Sequence, residues 1–592
     1  MYDYIDIHKK KITEVLVNLL SKISQEDTFD SSLVVAEIPP NPEMGDLGFP
    51  MFAFAKLFKK APPVIAQMVA AELPGSFAMG PYVNLRLDRG ETARGILEEL
   101  FGSTIGRPGT LNGSRIMVEF SSPNTNKPLH LGHLRNDVLG ESISRILAAC
   151  GAEVQKVCII NDRGIHICKS MLSYMEKGEG KTPESEGVKS DRFVGDWYVR
   201  FNQGLKEDTE ALEKQGMGKK EAEAQAPILL RAQELLRKWE AGDSQTVELW
   251  KKMNSWAIDG WKQTYRRTDV SFDQYYYESE TYLLGKDEVL KGLEKGIFFL
   301  EADGSVQVDL SAEKLDKKVL LRKDGTSIYI TQDLGTAINR HKDWPFDKLV
   351  YVVGSEQQYH FKVLFILMEK LGFEWAKNLY HLSYGMVNLP EGKMKSREGT
   401  VVDADDLIDS LKEMALLEIR NKEREEAVGD SEAVAEKIAI GALHYFLLNV
   451  SPSKDMLFDP KESLSFNGDT GPYLQYMGAR ISSLLRKAKD REWGAEGARY
   501  ELLTADAEWE LVKALGAYND KVAAAAADMD PSIMAAYLYD LAKGFSRFYH
   551  DCPVLAAEDP ALVAARLALC RAVLNVLSDA LQLTCIPFLE AM

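Results

Sequence analysis

The amino-acid sequence predicts an α/β protein with a parallel sheet, a helical insertion within that sheet domain, a small α+β N-terminal domain and an all-helical C-terminal domain. Three patterns predict this architecture. Strand-like apolar runs alternate with helical periodicity after residue 114, a charged helix-rich stretch interrupts the alternation, and helical spacing dominates from Ala404 onward. A chain of 592 residues has room for about three or four such domains.

The first domain is expected at residues 1–105. It contains amphipathic helical patterns, the proline-rich stretch IPPNPEMGD and a short alternating run at Tyr82–Leu87. Gly102–Ser114 is rich in glycine and has no periodic apolar residues, which predicts the linker or long loop that follows this domain.

The second domain is expected at residues 114–456. The apolar run Arg115–Phe120, a helix that begins near Gly132 and the run Val154–Ile160 predict a βαβ unit, whose strands are parallel. Residues 171–265 are charged and predict the helical insertion. Later elements are expected as strands at Ser327–Thr331, Leu349–Val353 and Leu382–Val387 and a helix at about Phe361–Leu371.

The third domain is expected at residues 457–592, and composition limits what the whole chain contacts. Lys+Arg 71 against Asp+Glu 89 gives a net charge of −18, so a nucleic-acid partner must meet local basic patches. Six scattered cysteines favour a reducing cytoplasm. There is no run of about 18 apolar residues, and the N-terminus is amphipathic, so neither a membrane span nor a secretory signal is expected.

The first chemical motif is SSPNTNKPLHLGH at Ser121–His133, between a predicted strand and a predicted helix. A helix N-terminus favours a phosphate, His130 and His133 share its first turn, Gly132 lets a flat base approach the backbone, and Lys127 adds a cation. The alternatives are an ordinary loop with two surface histidines or a metal pair. A metal is disfavoured because no second ligand pair lies nearby at zinc spacing.

The second motif is GKMKSREGT at Gly392–Thr400, after the last predicted strand. Its glycines, lysines and hydroxyls suit a loop that closes over a polyphosphate and neutralises the charge on leaving pyrophosphate. The alternative is a solvated basic loop.

In this order the two motifs resemble the HIGH and KMSKS signatures of class I aminoacyl-tRNA synthetases, and further segments resemble the arginyl-tRNA synthetase family. These segments are PNTNKPLHLGHLRN (Pro123–Asn136), DGTSIYITQDLGTA (Asp324–Ala337), YVVGSEQQYHF (Tyr351–Phe361), GDTGPYLQYMGAR (Gly468–Arg480) and FYHDCPVL (Phe548–Leu555). The resemblance implies a Rossmann-type catalytic domain, an N-terminal domain that contacts the tRNA elbow and a C-terminal domain that binds the anticodon. It also implies ATP-dependent activation of L-arginine and its transfer to tRNA(Arg).

The resemblance also assigns residues to each substrate. Catalysis is assigned to Lys127, His130, Gly132, His133, Lys393, Lys395 and Ser396. ATP binding is assigned to Pro123, Lys127, His130, Gly132, His133, His360, Gly385, Met386, Val387 and Met394. Arginine binding is assigned to Asn124, Asn161, Asp162, Tyr329, Asp333 and Gln357, with Asp333 at a strand end facing the guanidinium and Tyr329 walling the pocket. Binding of tRNA is assigned to Tyr473, Tyr476, Arg480, Phe548, Tyr549 and Met592.

Two departures from the family pattern affect these assignments. Ser396 stands where the second lysine of KMSKS is found, and Lys127, just upstream of the HIGH-like segment, is expected to supply that charge. At NDRGIHICKSM (Asn161–Met171) the sequence departs from the pattern N-x-x-G-D-x-G that many relatives have. As candidates for binding arginine, Asn161 and Asp162 are therefore ranked below Asn124 and Asp333.

Two rival functions follow from the same residues. A small-molecule nucleotidylyltransferase also begins a helix with H-x-G-H on a parallel sheet, but such enzymes are shorter and lack the helical C-terminal domain. A non-catalytic RNA-binding relative is disfavoured by the intact Lys127, His130, His133 and Lys393. Mg²⁺ is expected to arrive with ATP rather than at a protein metal site, and the chain is expected to be a monomer.

Overall fold

The protein is described by a computed structural model that covers residues 2–23, 28–102, 105–388, 402–490 and 494–592. These residues form two compact units. The first combines Met1–Ile105 with Ile481–Asn519 and Asp540–Leu577, and the second combines Gly106–Arg480 with Asp520–Tyr539 and Ser578–Met592. The C-terminal helices therefore contribute to both units.

The N-terminal segment has four helices and three strands, as the α+β pattern predicts. They are α1 (Tyr4–Ser21), β1 (Leu47–Pro50), α2 (Ala55–Phe58), α3 (Pro62–Glu72), β2 (Ser76–Met79), β3 (Tyr82–Leu85) and α4 (Arg89–Leu100). The strands pair antiparallel in the order β1-β3-β2. Apolar residues of α1 and α3, among them Ile12, Leu16 and Ile65, are fully buried and supply the core of this segment.

The predicted βαβ unit is present. It consists of β4 (Arg115–Glu119), α5 (Leu131–Ala149) and β5 (Glu153–Ile160). The two strands pair in parallel, with Met117 opposite Gln155. Both strands of this pair are rich in buried residues, as expected for a sheet that is covered on both faces.

The insertion is helical, as predicted, and it separates β5 from the next strand of the sheet. Its helices are α6 (Ile165–Lys177), α7 (Pro183–Glu186), α8 (Ser190–Lys214), α9 (Lys219–Gln225), α10 (Pro227–Glu240) and α11 (Ser244–Arg267). Rings of Tyr174, Phe193, Trp197 and Trp256 pack edge to face in its core.

The chain then completes the main sheet. The elements are β6 (Gln274–Tyr277), α12 (Glu278–Thr281), α13 (Lys286–Glu294), β7 (Phe299–Leu300), β8 (Val306–Val308), β9 (Lys318–Leu321), α14 (Tyr329–Asp343), β10 (Lys348–Gly354), α15 (Gln358–Lys370) and β11 (Leu379–Tyr384). Five strands lie in the order β11-β10-β4-β5-β6 and every pair is parallel, while β7, β8 and β9 form a small antiparallel sheet. All five carboxyl ends therefore meet at one edge, where ligands of open parallel sheets bind.

Two predicted strands were wrong in part. Ser327–Thr331 is not a strand, because Tyr329 already opens α14 and Thr331 donates its hydroxyl to the Leu320 carbonyl at 2.6 Å. Leu382–Val387 is divided: β11 ends at Tyr384, and the chain starts a separate strand two residues later.

The remaining elements are almost entirely helical, as predicted. They are β12 (Val387–Asn388), α16 (Ala404–Asn421), α17 (Glu425–Val428), α18 (Ser431–Leu448), β13 (Met456–Leu457), α19 (Pro460–Ser463), α20 (Gly471–Lys489), α21 (Asp506–Gly516), α22 (Tyr518–Asp528), α23 (Ser532–Asp551) and α24 (Pro560–Leu583). Within the described ranges only α24 is long and apolar enough to cross a membrane, and most of its apolar stretch is buried inside the fold, as in a core helix. All six cysteines are free and buried.

Candidate functional site

The turn that follows β4 lies at the carboxyl edge of the sheet. Ser121 and Ser122 both have left-handed backbones, with φ of 70° and 51°, which costs energy for residues other than glycine. Asn136 of α5 holds this turn: its side-chain oxygen accepts the Ser121 N–H, and its amide nitrogen donates to the Val352 carbonyl at 2.7 Å. The start of α5 is therefore fixed against the ends of β4 and β10.

The two histidines of the first motif cap α5, and their rings pack against each other at an angle of 40°. His130 is the N-cap residue, and the ring centroids of His130 and His133 are 3.9 Å apart. Nδ1 of His130 accepts the Gly132 N–H at 3.1 Å, and Nδ1 of His133 accepts the His130 N–H at 3.2 Å. Each neutral ring therefore carries its proton on Nε2, as a donor for a bound oxygen.

The electrostatics of this pair favour neutral rings. Burial, reinforced by the charge of Lys127, lowers the pKa of His130 to about 3. Burial, His130 and Lys127 together lower the pKa of His133 well below its ordinary value, and burial lowers the pKa of Lys127. Two uncharged N–H donors beside one buried cation suit an anionic ligand, and a side chain at Gly132 would lie 3.1 Å from the His130 ring.

Lys127 and His130 line a cavity of about 260 Å³, together with Asp403 and with Arg192 and Tyr198 of the insertion.

The second motif follows β12 and precedes α16. Lys393, Met394, Lys395 and Ser396 lie outside the described residues, but the segments that flank residues 389–401 are described.

These flanking segments are both fixed by backbone pairing. Asn388 accepts the Phe458 N–H at 2.8 Å, and Asp403 forms an antiparallel bridge with His130. The Ala404 N–H also donates to the Leu129 carbonyl at 3.0 Å. Asp403 and Ala404 therefore lie directly beside the first motif.

A buried arginine that the sequence analysis did not single out fixes the backbone of the residues after β11 that are predicted to bind ATP. Arg135 of α5 is fully buried and donates to the carbonyls of Gly385 at 2.5 Å, Pro452 at 3.2 Å and Lys454 at 2.8 Å. Met386, next to Gly385, is exposed at this edge, whereas Val387 is buried in β12. Pro123, in the loop after β4, accepts the Asn161 N–H at 3.0 Å.

Three of the residues predicted to bind arginine lie close together where β4 and β5 end. Asn124 and Asn161 form a parallel bridge, and the Asn161 amide donates to the Ser122 carbonyl at 2.9 Å. The Asp162 carboxylate is buried and accepts from the N–H and hydroxyl of Ser279 at 2.9 and 2.7 Å. Asn124 is exposed, so its side chain is accessible to a ligand.

Asp333 lies in α14 rather than at a strand end, which corrects the predicted local structure. Its carboxylate contacts Nε2 of His360 at 2.6 Å, so a residue predicted for arginine and one predicted for ATP are in direct contact. Tyr329 is 76% exposed and Gln357 is also exposed; Tyr329 therefore does not form a closed wall here.

Glu278 completes an acidic group that the sequence did not reveal. It follows β6, the next strand along the edge. Burial, helped by the charges of Asp162 and Asp333 and opposed by Arg163, raises the pKa of Glu278 to about 7. A half-buried carboxyl group under the influence of two neighbouring carboxylates favours a cationic ligand such as a guanidinium.

The predicted tRNA residues are divided between the two units. Tyr476, 37% exposed, and Met592 line one cavity of about 290 Å³ with Lys422 and Arg424. Tyr473 packs on Tyr539 with ring centroids 6.0 Å apart, and Arg480 is half-buried.

Phe548 and Tyr549 belong to the other unit. Phe548, predicted to bind tRNA, is fully buried beside Phe545, so its ring packs in the core of this unit. Tyr549 is half-buried. Among the residues that the structure describes, no group of three or more His, Cys, Asp or Glu side chains is arranged to hold a metal ion.

The chain is similar to known proteins over its whole length. Sequence models described as "tRNA synthetases class I (R), catalytic domain", "DALR anticodon binding domain" and "Arginyl tRNA synthetase N terminal domain" match residues 100–459, 474–592 and 9–87. The arginine–tRNA ligase of Treponema denticola is 58% identical, with 98% of each chain covered, and that of Treponema pallidum is 52% identical, with 100% of each chain covered. The solved arginyl-tRNA synthetase of Thermus thermophilus superimposes with a TM-score of 0.80 at 26% identity, covering 99% of this chain and 100% of the other. The chain therefore belongs to the arginyl-tRNA synthetase family, class I.

Proposed function

We propose that this protein is an arginine–tRNA ligase. It activates L-arginine with ATP to arginyl-adenylate and then transfers the arginyl group to the 3′-terminal adenosine of tRNA(Arg), which supports translation. Membership of the family supports the proposal. The observation that carries it is that Lys127, His130 and His133 follow β4 while His360, which contacts Asp333, follows β10, so both sets of residues lie at the carboxyl edge of one sheet.

In the first step the arginine carboxylate attacks the α-phosphate of ATP, and the bond from that phosphorus to the pyrophosphate oxygen breaks. No residue need form a covalent bond. The Nε2–H groups of His130 and His133 donate to phosphate oxygens, and Lys127 neutralises charge that moves to pyrophosphate. Holding both substrates in reacting geometry contributes about 7–11 kcal/mol to lowering such barriers.

In the second step a ribose hydroxyl of the terminal adenosine, the 2′-OH in class I, attacks the arginyl carbonyl and AMP leaves. Specificity for arginine is set in the first step. Asp333 and Glu278 face the guanidinium, with Asp162 behind them, while Asn124, Asn161 and Gln357 hold the rest of the amino acid. Lysine, a point charge, does not satisfy acceptors arranged for a planar fork.

The remaining assignments complete the proposal. The nucleotide is surrounded by residues of several loops: Gly132, Pro123, His360, Gly385, Met386, Val387 and Met394. Its phosphates are covered by the second motif, through Lys393, Lys395 and Ser396. Support for the closing loop comes from its flanking segments, which are paired beside His130 and β13. Mg²⁺ arrives with ATP.

We assign the recognition of tRNA to the flanking segments. Residues 1–105 contact the tRNA elbow, residues 457–592 contact the anticodon, and residues 114–456 carry the catalytic site. In the anticodon segment Tyr476 and Met592 at their shared cavity, with Tyr473, Arg480 and Tyr549, supply aromatic and basic groups for unstacked bases. The enzyme works as a monomer in the cytoplasm, and adenylate formation requires bound tRNA.

Arginine-dependent ATP–pyrophosphate exchange, measured with and without tRNA(Arg), tests the function. We expect exchange with arginine and tRNA(Arg) together, and little exchange with lysine or without tRNA. Exchange that needs no amino acid but uses another acceptor would indicate a nucleotidylyltransferase. Absence of exchange together with tight tRNA binding would indicate a non-catalytic RNA-binding protein.

The pKa of Glu278 gives a pH-dependent prediction. Because the carboxyl ionises near pH 7 and a guanidinium binds its ionised form, the KM for arginine should fall by about tenfold from pH 6 to pH 8 and change little above that. Glu278→Gln should have a high KM at pH 8 and a nearly flat profile. Aminoacylation at saturating ATP and tRNA measures both, and identical profiles for the two proteins would contradict the assignment.

A further inference from the structure

Helix α11 of the insertion is the feature whose contacts remain unexplained by the roles above. It runs from Ser244 to Arg267, and its side chains contact two loops of the candidate site and the first turn of α16. Each contact is made by a side chain that donates to a backbone carbonyl of a loop or to the carboxylate of Asp405.

The first contact is with the loop that follows β5, on the arginine side. The indole N–H of Trp250 donates to the Asp162 carbonyl at 2.6 Å, and the Asn254 amide donates to the same oxygen at 3.3 Å. Asp162 is only 3% exposed. Two donors from one helix therefore fix the backbone that carries Asn161 and Asp162.

The second contact is with the loop that follows β4, on the ATP side. The indole N–H of Trp261 donates to the Lys127 carbonyl at 3.1 Å, and Trp261 is 1% exposed. Trp250 and Trp261 are eleven residues apart, close to three helical turns, so they share one face of α11 about 16 Å apart along its axis.

The third contact is with α16, which begins just after the second motif. The hydroxyl of Thr264 donates to the Asp405 carboxylate at 2.8 Å, and Arg267 donates to its other oxygen at 2.7 Å. Burial of Asp405 is offset by these bonds and by Lys189, which lower its pKa. The last turn of α11 is therefore tied to the segment that bridges to His130.

We propose that α11 is a common brace that sets the spacing of the two loops and the start of α16, with Trp250 a positioning residue for arginine and Trp261 a positioning residue for ATP. This rests on the proposed function. Reacting atoms must approach to about 3–3.5 Å, and a misplacement of about 1 Å costs roughly a hundredfold in rate, so a rigid spacer between two substrate loops affects catalysis without touching a substrate.

Phenylalanine substitutions test the brace because they remove the indole N–H and keep an aromatic ring. Trp250→Phe should raise the KM for arginine about tenfold and leave the KM for ATP within about twofold, whereas Trp261→Phe should do the reverse. Asn254→Ala, which removes the second donor to the same carbonyl as Trp250, should shift the KM for arginine in the same direction. Aminoacylation of tRNA(Arg) measures both constants, and thermal unfolding of each variant is measured alongside.

Trp256→Phe is the matched control, because Trp256 lies on the same helix and packs on Tyr174 and Phe193 inside the insertion. It should change neither constant. The brace would be overturned if Trp250→Phe and Asn254→Ala changed the KM for arginine and the KM for ATP equally. It would also be overturned if neither variant changed these constants more than the control does. Both outcomes can be read even if Trp261→Phe fails to fold. A wild-type protein that does not charge tRNA(Arg) would instead overturn the proposed function.

Discussion

Lys127→Ala is expected to reduce the rate of arginine activation about 10²- to 10³-fold, the usual cost of removing one preorganised group at a site of developing negative charge. Ser396 stands where the second signature lysine of the family is found, and Lys127 lies in the same cavity as His130. Burial makes its charge more effective than that of a solvated lysine, because the local dielectric is lower. ATP–pyrophosphate exchange with tRNA(Arg) present measures the effect.

Lys181→Ala is the control for this substitution. Lys181 is exposed and pairs with Glu186 at 3.3 Å on the surface of the insertion, so its loss should leave the rate unchanged. Normal exchange in Lys127→Ala would show that another cation neutralises the leaving pyrophosphate.

Asp333→Asn is expected to raise the KM for arginine about 10²-fold and to weaken the preference for arginine over lysine. The substitution keeps the size of the side chain and removes the charge that we propose binds the guanidinium, and a lost hydrogen bond to a charged group costs about 1.5–3 kcal/mol. Because His360 contacts Asp333 at 2.6 Å, His360→Gln should cause a smaller shift in the same direction.

Asp343→Asn is a matched control on the same helix, where Asp343 accepts from the Asn339 amide at 3.0 Å on the surface. It should leave the KM for arginine unchanged. Aminoacylation kinetics with arginine and with lysine separate the outcomes. An Asp333→Asn protein with wild-type KM would place the guanidinium elsewhere.

The main elements of the sheet domain could be predicted because their patterns are local. Arg115–Phe120 and Val154–Ile160 are apolar runs bounded by turn residues, and the helix between them has apolar residues at helical spacing. The strand predicted at Ser327–Thr331 was wrong because the β-branched and aromatic residues there suit a strand as well as a helix. The helix there is set by packing: a side chain at Gly335 of α14 would lie 2.2 Å from the backbone nitrogen of Gly285.

The candidate site was predictable where short motifs carry the chemistry and not where distant contacts do. His130, Gly132 and His133 occur together in a motif, and the sequence predicts that both histidines lie in the first turn of a helix; that they cap this helix is seen only in the structure. Glu278 is a single acid after a tyrosine-rich strand, and only its spatial neighbours Asp162 and Asp333 indicate a role. Phe548 belongs to a family-like segment, but whether its ring faces solvent or the core depends on how the surrounding helices pack.

A crystal structure of the protein with a non-hydrolysable analogue of arginyl-adenylate tests the central claim most directly. The guanidinium should lie within hydrogen-bond distance of the Asp333 carboxylate, and the phosphate mimic should contact Nε2 of His130 or His133. An analogue bound away from the carboxyl edge of the sheet, or with its guanidinium pointing away from Asp333, would contradict the account.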